Sequence, residues 1–304
     1  MTNRPELFPE LPLDAWEPTK ETLHRYLQIV GKIRLALMPR KNHWWYITLY
    51  VGTRGINTDS IPYGDFTFEI QFDFLDHMLH IHTSNGKRIS FELKDGLSVA
   101  DFYAKLKEAL HNLGIEANIL AKPYDLSDTV PFAECTHHNS YDKVYVNRFW
   151  RILVQVDQVF KTFSGQSYSK TCPVHLYWHH MDLAVTRFSG ERGPEMPNAK
   201  VADRDAYSHE VISFGFWAGD ANVRFPAFYA YTYPSPEGID KEPLAPKAAE
   251  WIDSNGSPMA FLTYDSIRES ENPKAALLQF LESAYSAGAR LSGWDINGLA
   301  VKPL

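Results

Sequence analysis

Residues 172–190 read CPVHLYWHHMDLAVTRFSG, and the grouping of the whole chain turns on them. Under the two-residue strand period His175, Tyr177 and His179 share one face, so the stretch predicts a hairpin that carries histidine, aromatic, carboxylate and arginine side chains. Just upstream, a helix from about Tyr141 presents Val146, Phe149, Trp150, Leu153, Val156 and Phe160 as one apolar stripe. The same offsets occur earlier, in a helix expected from about Thr19 to Pro39 with Leu23, Tyr26, Leu27, Val30, Ile33 and Leu37. Arg25 stands in it where Arg148 stands in the later one. Landmarks after the two helices also correspond: His43-Trp44-Trp45-Tyr46 with His175-Leu176-Tyr177-Trp178, and Thr53-Arg54 with Thr186-Arg187.

The remaining elements keep this order. HWWYITLYV (43–51) and FTFEIQFDFL (66–75) read as strands, and MLHIHT and RISFEL are joined through Ser84-Asn85-Gly86, which suits a tight hairpin turn. A helix follows from Ser98 to Gly114. In the second half VISFGFW (211–217), FYAYTY (228–233) and MAFLTY (259–264) match those strands, and a helix from Pro273 closes the chain. The fold class expected is α+β: an internal duplication of a helix, a four-stranded antiparallel sheet and a second helix, with helices against one sheet face. The expected boundaries are an extended proline-rich arm over 1–18, a first unit over 19–121, a linker over 122–140 and a second unit over 141–304. Long loops are expected at 190–206 and 234–250.

Composition narrows the function. The 304 residues are 44% hydrophobic and 14% aromatic, enough for real cores and against disorder. A formal charge of -7, from 30 basic and 37 acidic residues, argues against nucleic acid as a partner. Cys135 and Cys172 are the only cysteines, too few for a disulfide framework. No signal-like or membrane-spanning run is visible, so a cytoplasmic location is expected, with self-association left open. Phosphate-loop, dinucleotide, serine-elbow, zincin and Cys-x-x-Cys motifs are all missing.

The segments NHWWYITLYV, IPYGD, SVADFYA, NRFWR, PVHLYW, DLAVTRFSG, AYSHE and FYAYTYP together resemble a bacterial family of uncharacterised proteins, a domain of unknown function, over nearly the full length. The sequence departs from that family's pattern at His179-His180. The resemblance implies no activity, substrate or catalytic residue.

Candidate chemistry therefore rests on residue types. His175, His209 and Glu210 are candidate acid–base groups. His43, Trp44, Arg54, Tyr177, Trp178, Arg187 and Tyr231 are candidate ligand contacts, with the two arginines and two histidines at corresponding places in the two halves. Together they predict a groove between the halves for a small molecule, anionic or aromatic. A metal-dependent enzyme built on His175, His179, His209 and Glu210, with Asp182 nearby, is the alternative, although no helical spacing fixes a ligand set and no metal ligand is assigned. A protein-interaction scaffold is the third reading. Cys172 beside His175 is a weaker nucleophile candidate, a small buried residue being the ordinary reading. The sequence names no cofactor.

Overall fold

Helix formation starts earlier than proline content suggests. In the computed structural model, which describes residues 6–302, α1 runs Leu13–Leu37 and includes Pro18, so the stretch read as an extended arm is partly helical. Pro12 precedes the first turn, where no backbone donor is needed, and Leu13 and Trp16 are both 1% exposed. Their burial offsets the hydrogen bond that Pro18 removes. Both flanks of α1 are covered: His24, Arg25, Gln28, Lys32 and Arg34 are buried along with its apolar stripe.

After α1 come β1 (Tyr50–Val51), β2 (Gly55–Asn57), β3 (Ile61–Tyr63), β4 (Phe66–Asp73), β5 (Met78–Thr83), β6 (Arg88–Glu92) and α2 (Val99–Asn112). Ser98 caps α2 by accepting from the Asp101 N–H, and Phe102 stacks on Tyr26 at 4.0 Å, which ties α2 to α1. Then follow α3 (Lys143–Gly165), β7 (His175–Tyr177), β8 (Asp182–Arg192), α4 (Val201–Ala206), β9 (His209–Trp217), β10 (Ala227–Tyr233), β11 (Glu250–Ser254), β12 (Ser257–Thr263), α5 (Tyr264–Arg268), α6 (Pro273–Leu291) and α7 (Ile296–Leu299). Among the described residues no helix is long and apolar enough to cross a membrane.

The chain is α+β, but each sheet has six strands rather than four. The first is ordered β1-β2-β4-β5-β6 with β3 also on β4, and the second β11-β12-β10-β9-β8-β7. The extra strands β1, β2 and β3 are two or three residues long, too short to display a period. The aromatic run 43–51 is not one strand: His43 and Trp44 have φ of 54° and 60°, residues 42–44 form a 3-10 turn, and only Tyr50 and Val51 belong to a strand of the first sheet.

The halves meet edge to edge. Leu49 and Leu176, both wholly buried, exchange backbone hydrogen bonds of 2.9 and 2.7 Å. Beside them the Trp178 indole donates to Ile47 O at 2.9 Å and lies on Gly31, where a Cβ would stand 2.0 Å from the ring. Glycine is needed there for close approach.

Strand register sorts the second sheet into two faces. Leu183, Val185, Arg187, Ile212, Phe214 and Phe216 point at α3 and α6, with Phe163 against Phe214 at 4.8 Å. His175, Tyr177, Asp182, Thr186, Ser213, Tyr229 and Tyr231 share the opposite face. Over that face lie the 42–46 turn, α4 and Tyr207, latched where Trp44 donates to Ala202 O at 3.0 Å and His43 to Asp205 O at 3.1 Å.

Candidate functional site

The face that turns away from α3 and α6 holds most of the candidate residues, and the other face holds two that serve the fold. Arg187 is 4% exposed and sandwiched between Phe163 and Tyr285, 3.5 and 4.5 Å from the ring centroids, with a hydrogen bond to Phe163 O. Burial pulls its pKa down to about 10. Glu210 accepts from the Trp294 indole at 3.1 Å. Arg54 is committed to Asp73 and Asp76 at the first sheet's edge, and Trp178 to the junction between halves. The expected convergence of Arg54, Arg187 and Glu210 with His175 on one groove does not occur: adjacent strand residues point to opposite faces, and the Thr-Arg correspondence carries no information about facing.

His43 and His209 do come together, with ring centroids 5.6 Å apart. His43 is spoken for at both nitrogens, Nδ1 donating to the Asp205 and Ala206 carbonyls and Nε2 accepting from Lys170 at 2.8 Å. Burial, then the Lys170 charge, depress its pKa, so it is a neutral latch rather than a free base. His209 bonds Ser208 Oγ at 3.1 Å near the rim.

His175 is different. It is 0% exposed, and neither ring nitrogen has a hydrogen-bond partner. Burial, and next the charge of Arg34, press its pKa down to about 3, so the ring is neutral at ordinary pH. Tyr177 packs edge-on against it at 4.6 Å, and the Tyr177 hydroxyl has a long contact of 3.5 Å to His43 O. Arg34, 2% exposed, gives Nε to Tyr46 O at 3.1 Å and leaves Nη1 without a partner. It lies over the Tyr50 ring at 5.3 Å and feels Asp59 only through space.

Along the same face Tyr229 donates to Asp182 at 2.6 Å, and the Tyr207 and Tyr231 hydroxyls are 3.2 Å apart. The Tyr229 ring lies across Gly215, where a Cβ would come within 2.2 Å of it, and stacks on Tyr231 at 6.2 Å. Tyr177, Tyr229 and Tyr231 are all half-buried on this face. Burial raises the pKa of all three phenols and of Asp182. This face thus gathers phenol hydroxyls, a neutral imidazole and, beside it, a guanidinium.

Two concavities lie away from this face. One of about 360 Å³ is open between Glu6–Phe8 and Arg268–Lys274, and one of about 10 Å³ sits among mostly apolar side chains of α1, α2 and the segment after α2.

A family model described as a family of unknown function, DUF5996, matches residues 8–301. The chain belongs to DUF5996. No curated protein and no solved structure matches it. In this DUF5996 chain the histidines weighed for a metal do not assemble: among the described residues no metal-capable grouping contains His175, His179, His209 or Glu210, and His180 instead bonds Asp125 at 3.0 Å. Cys172 is inert, its thiol pushed up to about 12 by burial and accepting from the Thr186 N–H. Sequence reasoning missed Arg34 and Tyr207. Arg34 stands four residues after Val30 and seven after Leu27, a cation at a position of the apolar stripe, and that was the available signal. Tyr207 directly follows the expected 190–206 loop, and neither a strand nor a helix period marks it.

Proposed function

We propose that this protein binds a small anionic molecule, in the cytoplasm, at the tyrosine face of β7–β10 beneath the 42–46 turn. One observation carries the reading: His175 is fully buried with both nitrogens unpartnered. A buried polar group without a hydrogen bond costs about 1–3 kcal/mol, and natural sequences keep few of them without a purpose. Arg34, with its own unpartnered nitrogen, acts through space on His175, which favours a carboxylate or phosphate oxygen as the missing acceptor. The stacked Tyr229 and Tyr231 and the Asp182 carboxyl suit a planar body with a donor group.

The two halves, each running helix, hairpin, strands, helix, support descent from one duplicated unit, with 122–140 as the linker. On that reading the ligand site arises where the 43–46 turn of one copy covers the sheet of the other.

Ligand release from gently purified protein, identified by mass spectrometry, tests the proposal. An acidic small molecule bound by wild type and missing from Arg34→Gln supports it, and equal occupancy in both proteins refutes it.

A further inference from the structure

Away from the tyrosine face, the 122–140 segment gathers a second set of polar groups. Cys135, His137 and His138 place their Sγ and ring nitrogens within 4.8 Å of one another. Both imidazoles turn Nε2 toward one oxygen of Asp128, at 2.7 Å for His137 and 3.0 Å for His138. The backbone beneath them is pinned: Ala100 N–H donates to Cys135 O at 3.0 Å, Val99 N–H to His138 O at 3.0 Å, and Gly96 N–H to Asn139 O at 2.8 Å. Asp128 is fixed separately, its other oxygen accepting from Val130 N–H at 3.0 Å.

We propose that Cys135, His137, His138 and Asp128 form a structural zinc site. A thiolate, two neutral imidazoles and a carboxylate match the ligand chemistry of zinc, and four protein ligands leave no open position for catalysis. Ligand atoms in a tetrahedral zinc shell are about 3.3 Å apart, so the Asp128 oxygen and the two imidazole nitrogens need to separate by only a few tenths of an ångström, whereas Asp128, which lies outside the 4.8 Å grouping, must close on Cys135 Sγ. Charge also closes. Zinc with one thiolate and one carboxylate is neutral, and Arg25, 3.5 Å from Asp128, keeps its own partner in Glu21 at 2.8 Å. On binding, the Cys135 proton is released to solvent and each imidazole presents a nitrogen lone pair to the metal. The partly exposed His137 gives the ion an entry path, whereas Cys135 is buried beneath it. The site would clasp the segment between the two halves to the start of α2 and, through Arg25, to α1.

A rival account makes Asp128 a hydrogen-bond hub for two imidazoles and Arg25, with Cys135 merely adjacent. Zinc titration of the chelator-stripped full-length chain against a chromogenic chelator separates the two. The proposal expects one zinc per chain, a higher melting temperature on its return, and at least tenfold weaker binding in Cys135→Ser and in His137→Ala. Cobalt in place of zinc should give a thiolate-to-metal charge-transfer band that Cys135→Ser abolishes. Failure of the wild-type chain to take up stoichiometric zinc at micromolar concentration overturns the proposal, as does unchanged affinity in both variants. His137 is largely exposed, so His137→Ala should fold even if Cys135→Ser does not. Neither result bears on the tyrosine-lined site.

Discussion

His175 sits where an apolar residue would be more stable, and that sets the first prediction. Replacing it with leucine, close to it in volume, removes two unpartnered nitrogens, and the ligand-free protein should become more stable by about 1–3 kcal/mol in a denaturant titration. A loss of stability of that size would mean that the imidazole is bonded and structural. Its depressed pKa gives a second prediction. His175 at about 3 and His24 at about 4 stay neutral in the fold while the unfolded chain takes up protons near 6.5. Their contribution is complete above pH 6.5 and is lost as pH falls toward 4, by about 1.4 kcal/mol per pH unit for each histidine over that window. Unfolding free energy followed between pH 7 and 4 should show this slope, and His175→Leu should lessen it. At this scale the sequence was legible in part. His175, Tyr177 and Tyr231 alternate visibly along strands, and the register places them on one face, whereas the roles of Arg187 and Glu210 depend on which sheet face the helices cover, and one chain of letters does not record that.

Among the elements, those with a sustained period were legible and those without were not. α3, α6, β5 and β9 lie close to where the apolar stripe or the alternation put them, and Asn255 (φ 55°) with Gly256 (φ 84°) makes the turn between β11 and β12. The start of α1 was missed because Pro18 was read as a boundary when tertiary burial of Leu13 and Trp16 overrides it. Pro18 is exposed, and the Thr22 hydroxyl bonds to its carbonyl, which any residue supplies. Pro18→Ala should therefore raise stability, by up to about 3 kcal/mol, in thermal or chemical unfolding. Gly31→Ala should do the reverse, by about 1–3 kcal/mol or more, because the new methyl meets the Trp178 ring.

For the molecule as a whole, the mixture of helices and antiparallel sheets was visible in the sequence, but the way the two sheets join was not. The Leu49–Leu176 bridge, the Trp178–Ile47 bond and the Trp44–Ala202 bond all cross between segments more than a hundred residues apart, beyond the reach of periodicity. Because these contacts bury both sheet edges, chemical unfolding of the full chain should be a single transition, and residues 1–121 alone should not reach a native-like fold by circular dichroism and proton NMR. The same junction places the 42–46 turn over the second sheet and so encloses His175 and the tyrosines. The ligand claim is tested most directly by native mass spectrometry of gently purified wild type beside His175→Leu. A folded, more stable His175→Leu protein that has lost an acidic small molecule carried by wild type is the result expected. A wild type that carries no such molecule, or a variant that retains it in equal amount, contradicts the account.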